Sequence, residues 1–191
     1  TFSIAQAGWN KAELSIQDYP ITYDDNYYAA FNVVEKVKVL SLNDSRPNQF
    51  LDAMFKNQAE FDYTATTEGG FNPDMLKGTQ LLVLDNLKSV SSSLSAAINA
   101  YVADGGAVAV FIGAKAEMES YNRFLNNLGA NSITGFSEQA QELASLNLQQ
   151  NVFKDVFEKV PDNMNLPKVF KYYTFSRSAA STEEAVLTLK D

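Results

Sequence analysis

The feature that most constrains this chain is an alternation of short apolar runs with helical segments between residues 37 and 129. Apolar runs typical of strands occupy residues 37–42, 61–66, 81–84 and 107–112. Segments with helical patterning or capping signals separate them, and another helix follows the last run. This alternation favours an α/β fold with an open, mainly parallel sheet, right-handed crossovers and helices on both faces.

The helical segments carry start and stop signals. Ser45 is placed to cap the first helix, with Pro47 in its first turn. Its expected apolar face consists of Phe50, Leu51, Met54 and Phe55. The serines at 91–93 offer caps for a second helix, which Gly105 ends because a left-handed terminal position suits glycine. A third helix ends at Gly129.

The residues before this alternation read as β structure. Residues 12–17 and 27–34 resemble strands, and turn-forming residues separate them. Two or three strands alone are marginal in water. We therefore predict that residues 1–36 are the C-terminal strands of an immunoglobulin-like β-sandwich, and that residues 37–191 form the α/β domain with a C-terminal β extension.

The pattern weakens beyond residue 133. Residues 139–148 are compatible with a helix, and an apolar patch of helical spacing spans 152–157. Two strand-like runs follow at 169–175 and 185–189, which we expect to form an antiparallel edge or hairpin on the sheet.

Composition excludes several classes of function. The 191 residues include no Cys and no His, which removes thiol nucleophiles, imidazole bases and the metal sites that use those ligands. The net charge of −8 argues against binding nucleic acid, which needs a basic surface. We expect no metal and no cofactor.

The best candidates for a functional site lie just after the strands, because ligands of open parallel sheets bind beyond the strands' carboxyl ends. The candidate ligand-binding residues are Asn43, Asp44, Arg46, Thr66, Asp85, Asn86, Gly113 and Lys115. They are polar but chemically sparse. They suit a small polar ligand or a glycan, and no catalytic residue is predicted among them.

Asp85 also permits a phosphotransfer hypothesis, with Asp44 as a metal ligand and Lys115 as the phosphate-binding cation. A receiver domain of that kind needs two adjacent acids after the first strand and a hydroxyl after the fourth. This chain has Asn43 before Asp44, and Gly113 after the fourth strand. A turn at residues 85–86 is the simpler interpretation.

Residues 81–86 and 100–113, with Gly105 and Gly106 before an apolar strand that ends in Gly113, resemble the class I glutamine amidotransferase-like fold, a flavodoxin-like arrangement. Residues 8–28 are similar to the β-sandwich segment of membrane-anchored Bacteroides aerotolerance (Bat)-type proteins. Active amidotransferases of this fold place a Cys after the elbow strand and use a later His. Gly113 and Ala114 occupy the corresponding positions here, so the resemblance implies the fold without the reaction.

The resemblance further implies a periplasmic location, a membrane-anchored parent protein and a role in envelope or stress-related assemblies. Because the chain starts at Thr1 without a methionine, we expect a soluble segment of a larger protein. The leading hypothesis is a non-catalytic module that interacts with other envelope proteins. A ligand- or glycan-binding module and an Asp85-centred phosphotransfer enzyme are the alternatives. The sequence does not predict an oligomeric state.

Overall fold

The computed structural model describes residues 7–16, 25–33, 36–148, 150, 153, 166–176 and 184–190. The strands are β1 (Gly8–Ser15), β2 (Asn26–Val33), β3 (Val37–Asn43), β4 (Phe61–Thr67), β5 (Leu81–Asp85), β6 (Ala107–Phe111), β7 (Ile133–Ser137), β8 (Gln141–Leu146), β9 (Lys168–Val169), β10 (Tyr172–Phe175) and β11 (Leu187–Leu189). The α-helices are α1 (Gln49–Phe55), α2 (Ser92–Ala103) and α3 (Met118–Asn127), and 3-10 helices span Glu68–Gly70 and Pro73–Leu76.

The chain divides into two compact units. One consists of Thr1–Leu84 with Gly106–Val110, and the other of Asp85–Gly105 with Phe111–Asp191. The predicted boundary between residues 36 and 37 stays a prediction. No helix in the described part of the chain is long and apolar enough to span a membrane.

The first unit is built on a parallel four-stranded sheet in the order β4-β3-β5-β6. β3 pairs with β4 from Val37 opposite Phe61 to Asn43 opposite Thr67. β3 and β5 are almost wholly buried after their first residues. Continuous apolar strands of this kind are typical of a parallel sheet that is covered on both faces. The predicted mixed α/β fold with a parallel sheet is therefore confirmed.

The core of this unit lies between the sheet and α1. Leu51 and Phe55 on α1 pack with Val39 and Val83 on the central strands. The Phe55 ring meets Phe61 edge-on, with the two ring centroids 5.0 Å apart. These contacts anchor α1, which at seven residues is too short to be stable alone.

The start and the buried face of α1 differ from the sequence prediction. Asn48 caps the helix, its side chain accepting a hydrogen bond from the Phe50 amide, so the assignment of the cap to Ser45 is wrong. Phe50 and Met54 are 74% and 60% exposed, and only half of the predicted apolar face is buried. A seven-residue helix has only two turns. Each turn buries one residue against the sheet, and these residues are Leu51 and Phe55.

The helices of the second unit follow the sequence closely. Ser91 caps α2 by accepting a hydrogen bond from the Leu94 amide. Gly105 follows the helix with φ at +93°, and Gly129 follows α3 with φ at +73°. Both glycines adopt the left-handed conformation that costs least without a Cβ. The predicted second and third helices are confirmed.

The C-terminal segment forms two small antiparallel sheets. β10 pairs with β7, while β8 lies between β11 and β9. The prediction that residues 169–175 and 185–189 pair with each other as a hairpin, or join the main sheet, is therefore wrong. The apolar patch at 152–157 lies outside the described residues except for Phe153.

The prediction of a helix over residues 139–148 is also wrong, because this segment contains β8. Glu142 accepts a hydrogen bond from Lys190 over 2.6 Å and lies 3.4 Å from Lys168. Leu143, the next residue, is buried. Pairing with strands distant in sequence therefore outweighs the helix propensity of the segment's Gln, Glu, Leu and Ala residues.

β1 and β2 form an antiparallel hairpin, as their alternating patterns predict. The register runs from Gly8 opposite Val33 to Ser15 opposite Asn26. The proposal that these strands belong to an immunoglobulin-like sandwich stays a prediction.

Candidate functional site

Four of the candidate residues lie at strand ends in the first unit. Two of them are hydrogen-bonded to each other, and the other two are exposed. Asn43, 1% exposed, donates through Nδ2 to the Thr66 carbonyl over 3.0 Å, and its Oδ1 accepts a hydrogen bond from Ser41 over 3.2 Å. These bonds brace the carboxyl end of β3 against β4. Asp44 and Arg46 are both exposed.

The strand-end candidates of the second unit meet around Asn86. Its Nδ2 donates to Oδ1 of buried Asp85 over 2.9 Å, and its backbone N–H donates to the Phe111 carbonyl over 2.9 Å. Asn86 has φ at +55°, a left-handed conformation that Asn tolerates better than most residues. The pair forms a braced turn, which agrees with the simpler interpretation of residues 85–86.

Gly113 approaches this turn closely enough to exclude any side chain. A Cβ built on Gly113 would lie 2.8 Å from Asn86 Oδ1 and 3.3 Å from Asn86 Cα. The glycine is therefore explained by packing against Asn86. Lys115, two residues further on, is exposed.

Tyr173 on β10 joins this group, although the sequence did not predict it as a site residue. Its hydroxyl donates to the Gly113 carbonyl over 2.7 Å, and its ring packs against Phe136 with centroids 4.8 Å apart. The alternation at 169–175 predicts a strand there. Nothing local indicates that Tyr173 contacts a loop 60 residues earlier.

A separate half-buried polar group lies where α1 covers the sheet. Tyr63 Oη and Asp52 Oδ1 are shielded from solvent, and neither has a hydrogen-bond partner within the described residues. The other Asp52 oxygen pairs with Lys56 over 2.6 Å. Burial, with a smaller contribution from the Asp52 charge, raises the pKa of Tyr63 above 10.0.

These arrangements brace the fold more clearly than they bind a ligand. Asn43, Asp85 and Asn86 direct hydrogen bonds to neighbouring protein groups. Within the residues that the structure describes, no three Asp, Glu, Cys or His side chains cluster closely enough to hold a metal ion. The geometry therefore favours structural roles for Asn43, Asp85, Asn86 and Gly113.

One face of the hairpin exposes three neighbouring apolar side chains. In an antiparallel pair, opposed residues project to the same side, so Leu14 and Tyr27 lie together with Ile16 beyond them. Their exposed fractions are 58%, 68% and 61% in that order. We call these three residues the hairpin face. Tyr28, equally exposed at 69%, and Trp9, exposed at 79%, lie on the opposite side, at separate positions along the strands.

Comparison with known proteins supports the fold. The crystal structure of a ThuA-like protein from Bacteroides uniformis superimposes with a TM-score of 0.61 at 17% sequence identity, over 91% of this chain and 72% of that chain. No family model and no curated protein matches the sequence. The chain therefore shares its overall fold with that ThuA-like protein.

Proposed function

We propose that this chain is a non-catalytic module of amidotransferase-like fold that acts by binding another protein through the hairpin face. The observation that carries the proposal is the exposure of Leu14, Ile16 and Tyr27 on one side of a two-stranded ribbon. Contiguous apolar side chains on a surface mark interaction sites, and a two-stranded ribbon gains stability from a further sheet packed on it.

The chemistry of the face indicates the kind of partner. The charged residues of β1, Lys11 and Glu13, lie on the opposite side from Leu14. The hairpin face therefore suits an apolar β-sheet surface, packed face to face as in a sandwich. This is also the environment that an immunoglobulin-like assignment of residues 1–36 requires.

The non-catalytic part of the proposal rests on the missing reactive groups. The chain has neither Cys nor His, and Gly113 and Ala114 stand where the amidotransferase resemblance places the nucleophile. The periplasmic location, the membrane-anchored parent and the partnership with envelope proteins rest on the resemblance to Bat-type proteins alone.

The interaction is tested by photocrosslinking from adjacent positions. A benzophenone amino acid replaces Tyr27 in one variant and Tyr28 in the other, which have nearly equal exposure but face opposite ways. We expect a crosslinked protein in the native envelope fraction from position 27 only. Equal crosslinking at both positions, or none at position 27, refutes the proposal.

The crosslinked protein is then purified and its affinity measured. Leu14→Thr introduces a β-branched side chain, which suits a strand, and removes apolar surface, so it weakens binding by about tenfold, corresponding to about 1.4 kcal/mol. Tyr28→Thr is the matched control and leaves affinity unchanged. Equal affinities for wild type and Leu14→Thr contradict the assignment of the surface.

The absence of catalysis is tested separately. We expect purified wild-type protein to release no more ammonia from glutamine than an Ala114→Val variant. Ammonia release above that control contradicts the non-catalytic assignment. It does not change the interpretation of the crosslinking result.

A further inference from the structure

A second feature of the molecule is a polar cavity of about 250 Å³ between α2 and α3. Each helix contributes four residues at helical spacing, so one face of each lines the cavity. The polar lining residues are Ser92, Ser95, Asn99, Ser120, Arg123 and Asn127. Packed helices usually meet through apolar residues, whereas most of this lining is polar.

One group in the cavity lacks a partner. Asn99 Oδ1 is shielded from solvent, and it accepts no hydrogen bond within the described residues. Its polar neighbours are engaged: Asn127 donates to Ser95 Oγ over 3.2 Å, and Ser120 Oγ contacts both the N–H and the carbonyl of Val90 at 2.9 Å. Buried acceptors are almost always paired, so Asn99 Oδ1 indicates a position for an N–H or O–H donor.

The charge of the lining residues further restricts the functional groups that the ligand can carry. Arg123 is the single charged residue of the set. It pairs with Glu119 over 2.7 Å, but both side chains are exposed, at 66% and 88%, so the pair is weak and a ligand carboxylate can share the guanidinium. An ammonium group on the ligand would face Arg123 with no carboxylate among the lining residues.

We propose that this cavity binds a small carboxylate that also carries a neutral N–H or O–H donor, such as an N-acylated or hydroxylated acid. The carboxylate binds Arg123, and the donor binds Asn99 Oδ1. The volume lies just below the lower end of the range for drug-sized ligands, so it suits a compact molecule. This site is separate from the hairpin face, and its test does not depend on the proposed protein interaction.

The experiment compares two probes that differ in one hydrogen-bond donor. N-acetylglycine has a carboxylate and an amide N–H, and N-acetylsarcosine is its N-methylated analogue without the donor. Titration of the isotope-labelled protein is followed through its amide NMR signals. We expect saturable shifts at Ser95, Asn99 and Arg123 with N-acetylglycine, and about tenfold weaker binding of N-acetylsarcosine because the Asn99 acceptor is left unpaired.

Variants test each contact separately. Arg123→Gln weakens both probes by about tenfold or more, since it removes a hydrogen bond to a charged group. Lys36→Gln, which removes the same charge from an exposed position outside the cavity, changes neither affinity. Asn99→Leu removes the acceptor, so the ratio of the two affinities falls to about one.

Three results overturn the proposal. The first is the lack of a saturable shift with N-acetylglycine, which would mean that ordered water alone fills the cavity and partners Asn99. The second is saturable shifts that map to residues away from α2 and α3. The third is an unchanged affinity ratio in Asn99→Leu.

Discussion

Replacing Gly113 by Ala tests whether this glycine is required by its contact with Asn86. The added Cβ would lie 2.8 Å from Asn86 Oδ1, 3.3 Å from its Cα and 3.4 Å from its Cβ. The first contact can relax by rotation of a side chain, although this strains the hydrogen bond to Asp85. The second is with backbone that the Phe111 carbonyl holds in place, so the loop itself has to shift.

The magnitude follows from two opposing effects. Overpacking of this kind costs about 1–3 kcal/mol, while replacing glycine by alanine stabilises by about 0.4–1 kcal/mol through the unfolded chain. The net loss is about 1–2 kcal/mol. For a chain of this length it lowers the Tm by about 2–8 °C.

The assay is urea unfolding of a double-mutant cycle with Asn86→Gly. That substitution removes the Asn86 side chain, so Gly113→Ala costs about 1 kcal/mol less in its presence. Gly69→Ala is the matched control, because a Cβ at Gly69 meets nothing within 4 Å. If Gly113→Ala destabilises no more than Gly69→Ala, or costs the same in both Asn86 backgrounds, the packing argument fails.

Three further substitutions test other contacts. Burial raises the pKa of Tyr63, so the contribution of its neutral phenol to stability is complete below pH 10.0 and is lost as pH rises through the pKa of the folded state. Tyr63→Phe should flatten this alkaline decline in the free energy of unfolding. Hydrogen bonds from Lys190 and Lys168 lower the pKa of Glu142 below 4.5, so wild-type stability falls as pH drops below that value, and Glu142→Gln should remove this dependence in acid titrations. Ser120→Ala leaves the buried N–H and carbonyl of Val90 without their hydrogen-bond partner, so it should destabilise the protein by about 1–3 kcal/mol in urea unfolding. The control Ser93→Ala, at an exposed position, should change stability by less than about 0.5 kcal/mol.

The parts of the fold that depend on local chemistry could be predicted from the sequence. Ser91 and Gly105 bracket α2 because a cap and a left-handed terminus act within one turn of the helix. β3 and β5 are recognisable because strands buried on both faces need continuous apolar runs. The parallel sheet follows from their alternation with helices.

The incorrect predictions concern choices between close local alternatives or contacts distant in sequence. Ser45 and Asn48 are both good capping residues, and the position at which Leu51 and Phe55 can be buried selects Asn48. β8 resembles a helix by composition, but its partners β9 and β11 lie more than 20 residues away. Long-range pairing of this kind leaves no periodicity in the local sequence.

The same limit applies to the site residues. Asp85 and Asn86 were correctly placed at the end of a strand, since that position follows from the strand pattern. The distance from Gly113 to Asn86 could not be read from the sequence, because it depends on the separation of neighbouring strands. Tyr173 and Asn99 were not predicted because each gains its significance from an element elsewhere in the chain.

The hydrogen bond from Tyr173 to Gly113 also bears on how the protein forms during translation. Sixty residues separate the two partners, which corresponds to about 3–12 s of synthesis. For that interval the loop after β6 emerges from the ribosome without the phenol that later holds it. A nascent chain released before residue 172 lacks both this bond and the strand that pairs with β7, and we expect quality-control proteases to degrade it faster than the finished protein.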